Sequence, residues 1–335
     1  MKAKWHTETE TTKSAAHGDE DFLKIGSLAS GVREIVQGPV DHAQKDGQDT
    51  LTMKFRIEEN TNEELNEIFD KGGTESYVTQ MTLPQSKEHT KALKDVLEGE
   101  ETFQDILDSM RTLHVEDDLR IGVQGQHDQW DPSEAENGFF DEESQSNIFL
   151  FLFRVIATSM QKKGTGGSWG LGKYATYIMS KLRTAFYVST YLDQEGKYRR
   201  FALGQAHWKS RRMRPPLGYP KELVGKDGKV SYGPVIWYGK EETSVEENPK
   251  TWMPITDNED IDKLCDILGI RRTIGMPGTS IMIPLPYDEI TGNNIAQAVL
   301  ANYSVAIARG MLVVIIEDGE YSVTLDAEFM RGLTE

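Results

Sequence analysis

The sequence predicts an α+β fold, because two kinds of apolar pattern alternate along the chain. Residues 28–36 carry apolar side chains three and four positions apart, which is the spacing of a helix with one buried face. Residues 50–58 instead alternate apolar and polar side chains, which is the pattern of a strand with one buried face. Segments of both kinds recur along the chain, so we expect a sheet covered by helices.

The N-terminal half begins with polar residues and then becomes patterned. Residues 1–20 are polar and predict a flexible tail. A helix from about Ala29 and the strand over 50–58 follow. Residues 60–116 are acidic with apolar positions at helical spacing, which predicts a mostly helical insertion. The remaining elements predicted in this half are a short strand over 119–123, a polar loop over 126–146 and a helix over 144–160.

Glycine and proline divide the C-terminal half. A glycine-rich run over residues 164–173 precedes a helix-compatible segment that ends at Leu182. Residues 209–258 are rich in proline, glycine and charge, so they predict hairpins and loops. Residues 321–335 are interpreted as the start of a following segment. The other predicted elements are strands over 184–191 and 198–207, a helix over 260–268, a strand over 279–284, a helix over 294–309 and a strand over 311–317.

Composition and charge limit the classes of function. The chain has 335 residues and a net charge of −17, which argues against broad binding to nucleic acids or anionic membranes. Its single cysteine, Cys265, excludes an internal disulfide, and the histidines lack metal-ligand spacing. No apolar run is long enough to cross a bilayer, and the N-terminus lacks the pattern of a signal peptide. We therefore expect a cytoplasmic protein with no membrane partner.

A basic cluster after Trp208 departs from this acidic background. It comprises Lys209, Arg211, Arg212 and Arg214. A solvated hairpin is the favoured interpretation of this cluster, and local binding to a nucleic acid or an acidic partner is the alternative.

The glycine-rich run indicates a phosphate-binding loop. Five of residues 164–173 are glycine, and glycine lets backbone N–H groups approach an anion because it has no Cβ. The N-terminus of the helix that follows adds free N–H groups and a partial positive charge. Gly167, Gly172 and Lys173 nearly match a Walker A loop, but Tyr174 stands where a serine or threonine must hold Mg²⁺. A P-loop NTPase therefore remains an alternative.

Four motifs in order resemble the GHKL superfamily of Bergerat-fold ATPases, which includes gyrase, MutL, histidine kinases and the ninety-kilodalton heat-shock chaperones. Glu34, Gly38 and Asp41 repeat the spacing of the first-helix motif of that superfamily. The other three motifs are residues 167–172, which resemble its Gly-x-x-Gly-x-Gly ATP lid, residues 174–189, which resemble the helix and strand after the lid, and residues 278–283, which resemble its last Gly-Thr-x-Ile motif.

The resemblance implies a fold, cofactors and a set of site residues. The fold is a two-layer sandwich over residues 21–320, with a mixed, mostly antiparallel sheet, helices on one face and an ATP lid over 126–172. The cofactors are ATP and Mg²⁺, and Glu34 is the general base that activates water. Thr279 supports, through its hydroxyl, an aspartate that accepts the adenine amine. The full set of nucleotide-binding residues implied by the resemblance is Asp41, Gly125, Gly166, Gly167, Gly170, Gly172, Lys173 and Thr279.

Two positions depart from the family pattern. Gly38 replaces the asparagine that gives Mg²⁺ an oxygen, and Pro39 after it removes a helix hydrogen bond. Val123 stands where the adenine-reading aspartate is expected. Losing one charged hydrogen bond to the base costs about 1.5–3 kcal/mol, so we expect ATP turnover to be weak or absent.

The family works by conformational switching, which sets the expected partners. ATP closes the lid and often drives N-terminal dimerisation, and hydrolysis resets the state. The resemblance therefore implies a homodimer, or a second domain or subunit that lends a cation to the γ-phosphate. Several bacterial proteins with a similar lid look like components of phage-defence systems, which is the expected setting. A pseudo-ATPase that acts only as an interaction scaffold is the other alternative.

Overall fold

A mixed β-sheet with helices packed against it forms the centre of the protein. A computed structural model describes residues 3–9, 28–69, 103–125, 149, 152–153, 175–193, 195–207, 211–213, 224–242 and 251–333. The strands are β1 (Lys4–Thr9), β2 (Leu51–Asn60), β3 (Met110–Asp117), β4 (Thr184–Leu192), β5 (Tyr198–His207), β6 (Arg211–Met213), β7 (Val230–Glu242), β8 (Thr251–Met253), β9 (Gly278–Pro284), β10 (Leu312–Asp318) and β11 (Tyr321–Leu325). The helices are α1 (Leu28–Asp46), α2 (Leu65–Phe69), α3 (Phe103–Asp108), α4 (Ala175–Ile178), α5 (Asn258–Leu268), α6 (Gly292–Ala308) and α7 (Ala327–Gly332).

The strand order across the sheet is β1-β7-β5-β4-β9-β3-β2-β10-β11, and β6 and β8 pair with β7. β2 and β10 are parallel, and the other pairings among the described strands are antiparallel. The predicted α+β class and the mixed sheet are therefore confirmed. In the described part of the chain, no helix combines the length and the apolar character that a bilayer crossing requires.

One face of the sheet is covered by α1, α4 and α6. The apolar spacing of α1 directs Val32 and Val36 into this core, where they lie in the same cluster as Phe55 of β2 and Ile316 of β10. Helices α1 and α6 also contact each other, and the Tyr303 hydroxyl of α6 donates a hydrogen bond of 2.6 Å to the Arg33 carbonyl of α1. This contact anchors the helix that carries the first of the four motifs.

A second core lies on the opposite face of the sheet, so the fold has helices on both faces. It contains Leu264 and Leu268 of α5 together with Phe186 of β4 and Met282 of β9. The sequence analysis placed helices on one face only. The physical reason for the difference is that the central strands carry apolar side chains on both sides: Tyr187 belongs to the first core, while Phe186 belongs to the second.

The predicted elements with strong apolar periodicity are confirmed. The helix from about Ala29 is α1, and the predicted strands over 184–191 and 198–207 are β4 and β5. The helices over 260–268 and 294–309 are α5 and α6. Three further strands, predicted over 50–58, 279–284 and 311–317, are β2, β9 and β10.

Three segments differ from the predictions. Lys4–Thr9, placed in a flexible tail, pairs with β7 as β1, and its Trp5 is buried. Met110–Asp117, placed in the helical insertion, is β3. Residues 119–123 form a turn after β3 and not a strand. The last two differences move the end of a strand from about residue 123 to Asp117. Asp117, and not Val123, therefore stands at the strand end where the sequence analysis expected an aspartate.

Candidate functional site

Asp117 is the last residue of β3, and its carboxylate lies at the centre of a hydrogen-bonded group. Its Oδ1 atom accepts the backbone N–H of Leu119 at 3.0 Å and the backbone N–H of Thr279 at 3.0 Å. Among the described residues no bond to Oδ2 is found. Within the described part of the chain, the second oxygen can therefore accept a further donor.

The surroundings of Asp117 act in both directions on its ionisation. The pKa of the Asp117 carboxyl is raised to about 6, mainly by burial and to a smaller extent by the neighbouring Asp118 charge. The Arg272 charge and the two backbone hydrogen bonds lower this pKa. Because the pKa still lies below 7, the carboxyl is mostly ionised at neutral pH and can act as an acceptor.

Thr279 and Ser189 connect Asp117 to the turn that follows β3. Thr279 Oγ1 lies 3.1 Å from Ser189 Oγ, and both residues are buried. Ser189 Oγ also accepts the backbone N–H of Val123 at 2.8 Å. These bonds join β9, β4 and the turn, so Val123 belongs to the site through its backbone.

Two glycines permit the close packing of this site. Gly278, at the start of β9, has φ +119°, and a Cβ there would overlap the carbonyl oxygen of Asp117. Gly122 has φ +50°, and a Cβ there would lie 2.7 Å from the carbonyl oxygen of Thr190. In both cases the Cβ would come closer than 3.0 Å to a backbone oxygen, which real Cβ atoms essentially never do. Glycine is therefore required at these two positions for steric as well as conformational reasons.

The first-helix motif, Glu34, Gly38 and Asp41, lies on one side of α1. Glu34, Gly38 and Asp41 are four and three residues apart, so they share a side of the helix. The Glu34 carboxylate pairs with the Arg33 guanidinium at 2.5 Å, and the Asp41 carboxylate accepts a hydrogen bond of 2.6 Å from Gln37. A Cβ at Gly38 would meet nothing within 4 Å. Among the described residues, none would therefore clash with a Cβ at this position of α1.

Tyr303 of α6 lies close enough to this motif for the charges of Glu34 and Asp41 to act on its hydroxyl. Its hydroxyl lies 3.3 Å from Gln37 Oε1 in addition to its bond to the Arg33 carbonyl. Burial raises the pKa of Tyr303, and the charges of Glu34 and Asp41 raise it further. The Tyr303 hydroxyl therefore stays protonated beside the two carboxylates.

The predicted site residues fall into three groups. Thr279 and Val123 meet at the end of β3, and Gly125 ends the same turn with φ +141°. Glu34, Gly38 and Asp41 lie on α1. The glycine-rich run, with Gly166, Gly167, Gly170, Gly172 and Lys173, lies outside the described residues.

The flank of the glycine-rich run is described, and it contacts α1. Helix α4 begins at Ala175, directly after the run, and packs against α1. A Cβ at Gly31 would lie 3.3 Å from the Met179 Sδ atom, which shows how closely the two segments approach. Most of the predicted lid over 126–172 also lies outside the described residues.

Asp117 was not singled out in the sequence analysis, although a signal for it exists. The expected acid was sought after a strand over 119–123, whereas the strand ends at Asp117. The acidic run of Glu116, Asp117 and Asp118 follows the alternating Leu113 and Val115, which is the pattern of a strand that ends in carboxylates.

Within the described part of the chain, no three His, Cys, Asp or Glu side chains are grouped so as to hold a metal ion.

Comparisons with known proteins add no assignment to this geometry. No protein-family model and no curated protein matches this sequence. The functional assignment therefore depends on the residues around Asp117 and on the motifs.

Proposed function

We propose that this chain is an ATP-binding module of the GHKL type in which Asp117 accepts the adenine amine. The observation that carries the proposal is the Asp117 carboxylate at the end of β3, held by the N–H of Thr279 with one oxygen left available. The resemblance expects an aspartate supported by the Thr279 hydroxyl; Asp117 is held instead by the Thr279 backbone N–H, and the hydroxyl lies 3.1 Å from Ser189 Oγ. The site therefore retains a base-reading acid, and Val123 does not have to supply one.

For a base that turns its six-position substituent towards Asp117, the carboxylate favours adenine over guanine. The exocyclic amine of adenine donates to a carboxylate oxygen, whereas guanine presents a carbonyl oxygen at the same ring position. Two acceptors facing each other lose a hydrogen bond and repel, so the mismatch leaves a partly buried charge without a donor. A site built around one hydrogen bond rejects an analogue that lacks the matching group far more strongly than an apolar pocket does.

The residues present fit a phosphate-binding loop better than they fit a Mg²⁺ site. Residues 164–173 have the composition of a phosphate-binding loop and precede α4, which packs against the helix that carries Glu34. The metal fits poorly, because Gly38 offers no side-chain oxygen on α1. Glu34 is paired with Arg33 and is the candidate base. We therefore propose nucleotide binding with weak or absent turnover.

Binding without efficient turnover agrees with a conformational switch whose partner completes the site. A second domain or subunit that supplies a cation to the γ-phosphate, a homodimer and a role in bacterial defence all remain part of the proposal. The P-loop alternative differs in one testable way, because it places the essential contact at Lys173 and none at Asp117.

Isothermal titration with ATP and GTP, with and without Mg²⁺, tests the proposal. We expect ATP to bind more tightly than GTP, and Asp117→Asn to weaken ATP about tenfold to a hundredfold. Asp118→Asn is the matched control, because the Asp118 carboxylate accepts the backbone N–H of Thr52 at 2.8 Å and is exposed. An affinity for ATP that survives Asp117→Asn but is abolished by Lys173→Ala would show the P-loop alternative to be right.

A further inference from the structure

The guanidinium of Arg272 is buried behind Asp117 and is fully hydrogen-bonded. Its side chain is 4% exposed. Nε donates to Ser280 Oγ at 2.9 Å, and Nη1 donates to the carbonyls of Met276 at 2.9 Å and Pro277 at 2.8 Å. Nη2 donates to the carbonyls of Asp117 at 2.5 Å and Thr279 at 3.1 Å. An arginine has five N–H donors in a fixed fork, and here each of them has an acceptor.

These acceptors belong to the two strand ends that form the candidate site. One Arg272 nitrogen bridges the carbonyls of Asp117 and Thr279, so the ends of β3 and β9 are held at one separation. The same two residues are joined a second time by the bond from the Thr279 N–H to the Asp117 carboxylate. The guanidinium thus determines where the carboxylate stands relative to its donor.

Arg272 is in turn held by residues on the face of the sheet that carries α5. Its own carbonyl accepts a hydrogen bond of 3.1 Å from Arg200 Nη2 of β5. The Nη1 atom of Arg200 pairs with the Asp262 carboxylate of α5 at 2.6 Å. A chain of polar contacts therefore runs from α5 through Arg200 and Arg272 to Asp117.

We propose that Arg272 is a positioning residue for the base-reading carboxylate, holding Asp117 against Thr279 so that its second oxygen faces the ligand. This inference rests on the proposed function. A lysine cannot replace it fully, because a lysine has three donors on one point charge while arginine has five in a plane.

The positive charge of Arg272 also lowers the pKa of the Asp117 carboxyl. The charged groups that act on Asp117 are Arg272, which lowers its pKa, and Asp118, which raises it. The carboxylates that act on Arg272 are Asp117, Glu116 and Asp118, and each raises its pKa. Oδ1 is occupied by two N–H donors, so a proton on Asp117 would reside on Oδ2 and turn that acceptor into a donor. Removing the arginine charge therefore raises the pKa of Asp117, so the carboxylate becomes protonated and stops accepting at a higher pH than in the unmodified chain.

Titration of Asp117 by carboxyl ¹³C NMR, assigned with Asp117→Asn, tests this role together with ATP titrations at pH 6 and pH 8. In Arg272→Gln we expect the pKa of Asp117 to rise by about one unit, with a larger loss of ATP affinity at pH 6 than at pH 8. Arg272→Lys restores the charge, so the pKa returns towards its original value while ATP affinity stays reduced. Arg271→Gln is the matched control, because Arg271 is exposed and pairs with Glu58 at 3.3 Å.

The outcomes separate this inference from the proposed function. If the unmodified chain binds no ATP, the proposed function fails, and the NMR titration still decides whether Arg272 controls the Asp117 carboxyl. If Arg272→Gln folds and leaves both the Asp117 pKa and the ATP affinity unchanged, the inference is overturned. If that variant does not fold, Ser280→Ala removes one acceptor from the guanidinium. An unchanged Asp117 pKa and ATP affinity in Ser280→Ala and in Arg272→Lys then overturns the inference as well.

Discussion

The carbonyl oxygen of Asp117 occupies the space that a side chain on Gly278 would need. Gly278 has φ +119°, and a Cβ would overlap that oxygen and also lie 2.8 Å from Arg272 Nη1. The first residue of β9 therefore lets the end of β3 approach closely enough for the Thr279 N–H to reach the Asp117 carboxylate. The glycine of the Gly-Thr motif acts by its small size.

Gly278→Ala should destabilise the fold by about 2–4 kcal/mol, because it combines an unfavourable φ with a steric overlap. Urea unfolding followed by circular dichroism measures this change. Gly275→Ala is the matched control in the same loop, because a Cβ there meets nothing within 4 Å. Equal stability of the two variants would contradict the close approach at Gly278.

Gly122→Ala should destabilise the turn after β3 by more than its backbone conformation alone explains. A positive φ costs an alanine about 1–2 kcal/mol, and the contact with the Thr190 carbonyl adds about 1–3 kcal/mol. Gly196→Ala isolates the first part, because Gly196 has φ +74° with open space around its Cβ position. The comparison is made by chemical denaturation, and a Gly122 variant no less stable than the Gly196 variant would remove the steric argument.

On the proposed function, Gly38→Asn should increase the Mg²⁺-dependent part of ATP affinity by about tenfold, since it supplies a side-chain oxygen that Gly38 lacks. The side chain has room, because a Cβ at Gly38 meets nothing within 4 Å. Titration with ATP in Mg²⁺ and in EDTA measures the gain. Gly38→Ala serves as the control, since it gains more helix propensity than Gly38→Asn and adds no oxygen. The same gain in both variants would mean that the effect comes from the helix and not from the metal.

His114 should make the protein sensitive to acid. Burial lowers the pKa of His114 to about 3, with the charges of Arg56 and Arg271 acting in the same direction. Because the folded pKa lies below the unfolded value of 6.5, the contribution of neutral His114 is complete above pH 6.5 and is lost as the pH falls towards 3. The difference in unfolding free energy between the unmodified chain and His114→Gln should fall by about 2 kcal/mol from pH 7.5 to pH 5.

The raised pKa of Asp117 acts with the opposite sign, so the His114 test uses a difference between two chains. A carboxyl with a folded pKa of about 6 stabilises the folded state as the pH falls through 6. This contribution is present in both chains and cancels in the comparison. A difference that does not change between pH 7.5 and pH 5 would show that His114 titrates normally in the folded protein.

Elements with a single apolar face were predictable from local pattern. The spacing of Val32, Ile35 and Val36 predicted α1, and the alternation of Met53, Phe55 and Ile57 predicted β2. In each case one side of the element meets the core and the other does not, so burial and sequence pattern agree. The first-helix motif and Thr279 were identified instead by the resemblance of their residue spacing to family motifs.

β3 was missed, although Leu113 and Val115 alternate, because polar side chains between them are buried as well. His114 is 1% exposed, and Glu58 Oε1 lies 3.4 Å from its Nε2 atom. Arg56, from the neighbouring strand, donates to the Gly269 carbonyl at the end of α5. These partners come from distant parts of the chain, so a local pattern contains no sign that a polar residue there is buried.

The sequence alone determined the α+β class, the helices and strands with one apolar face, and the residue types that suggest a nucleotide site. Only the tertiary structure decided that β3 ends at Asp117, that Thr279 donates to that carboxylate, and that Arg272 lies behind both. The reason is physical: helical and strand periodicity is encoded within a few neighbouring residues. The pairing of β3 with β9 joins segments more than a hundred and fifty residues apart, and only the folded chain brings their side chains together.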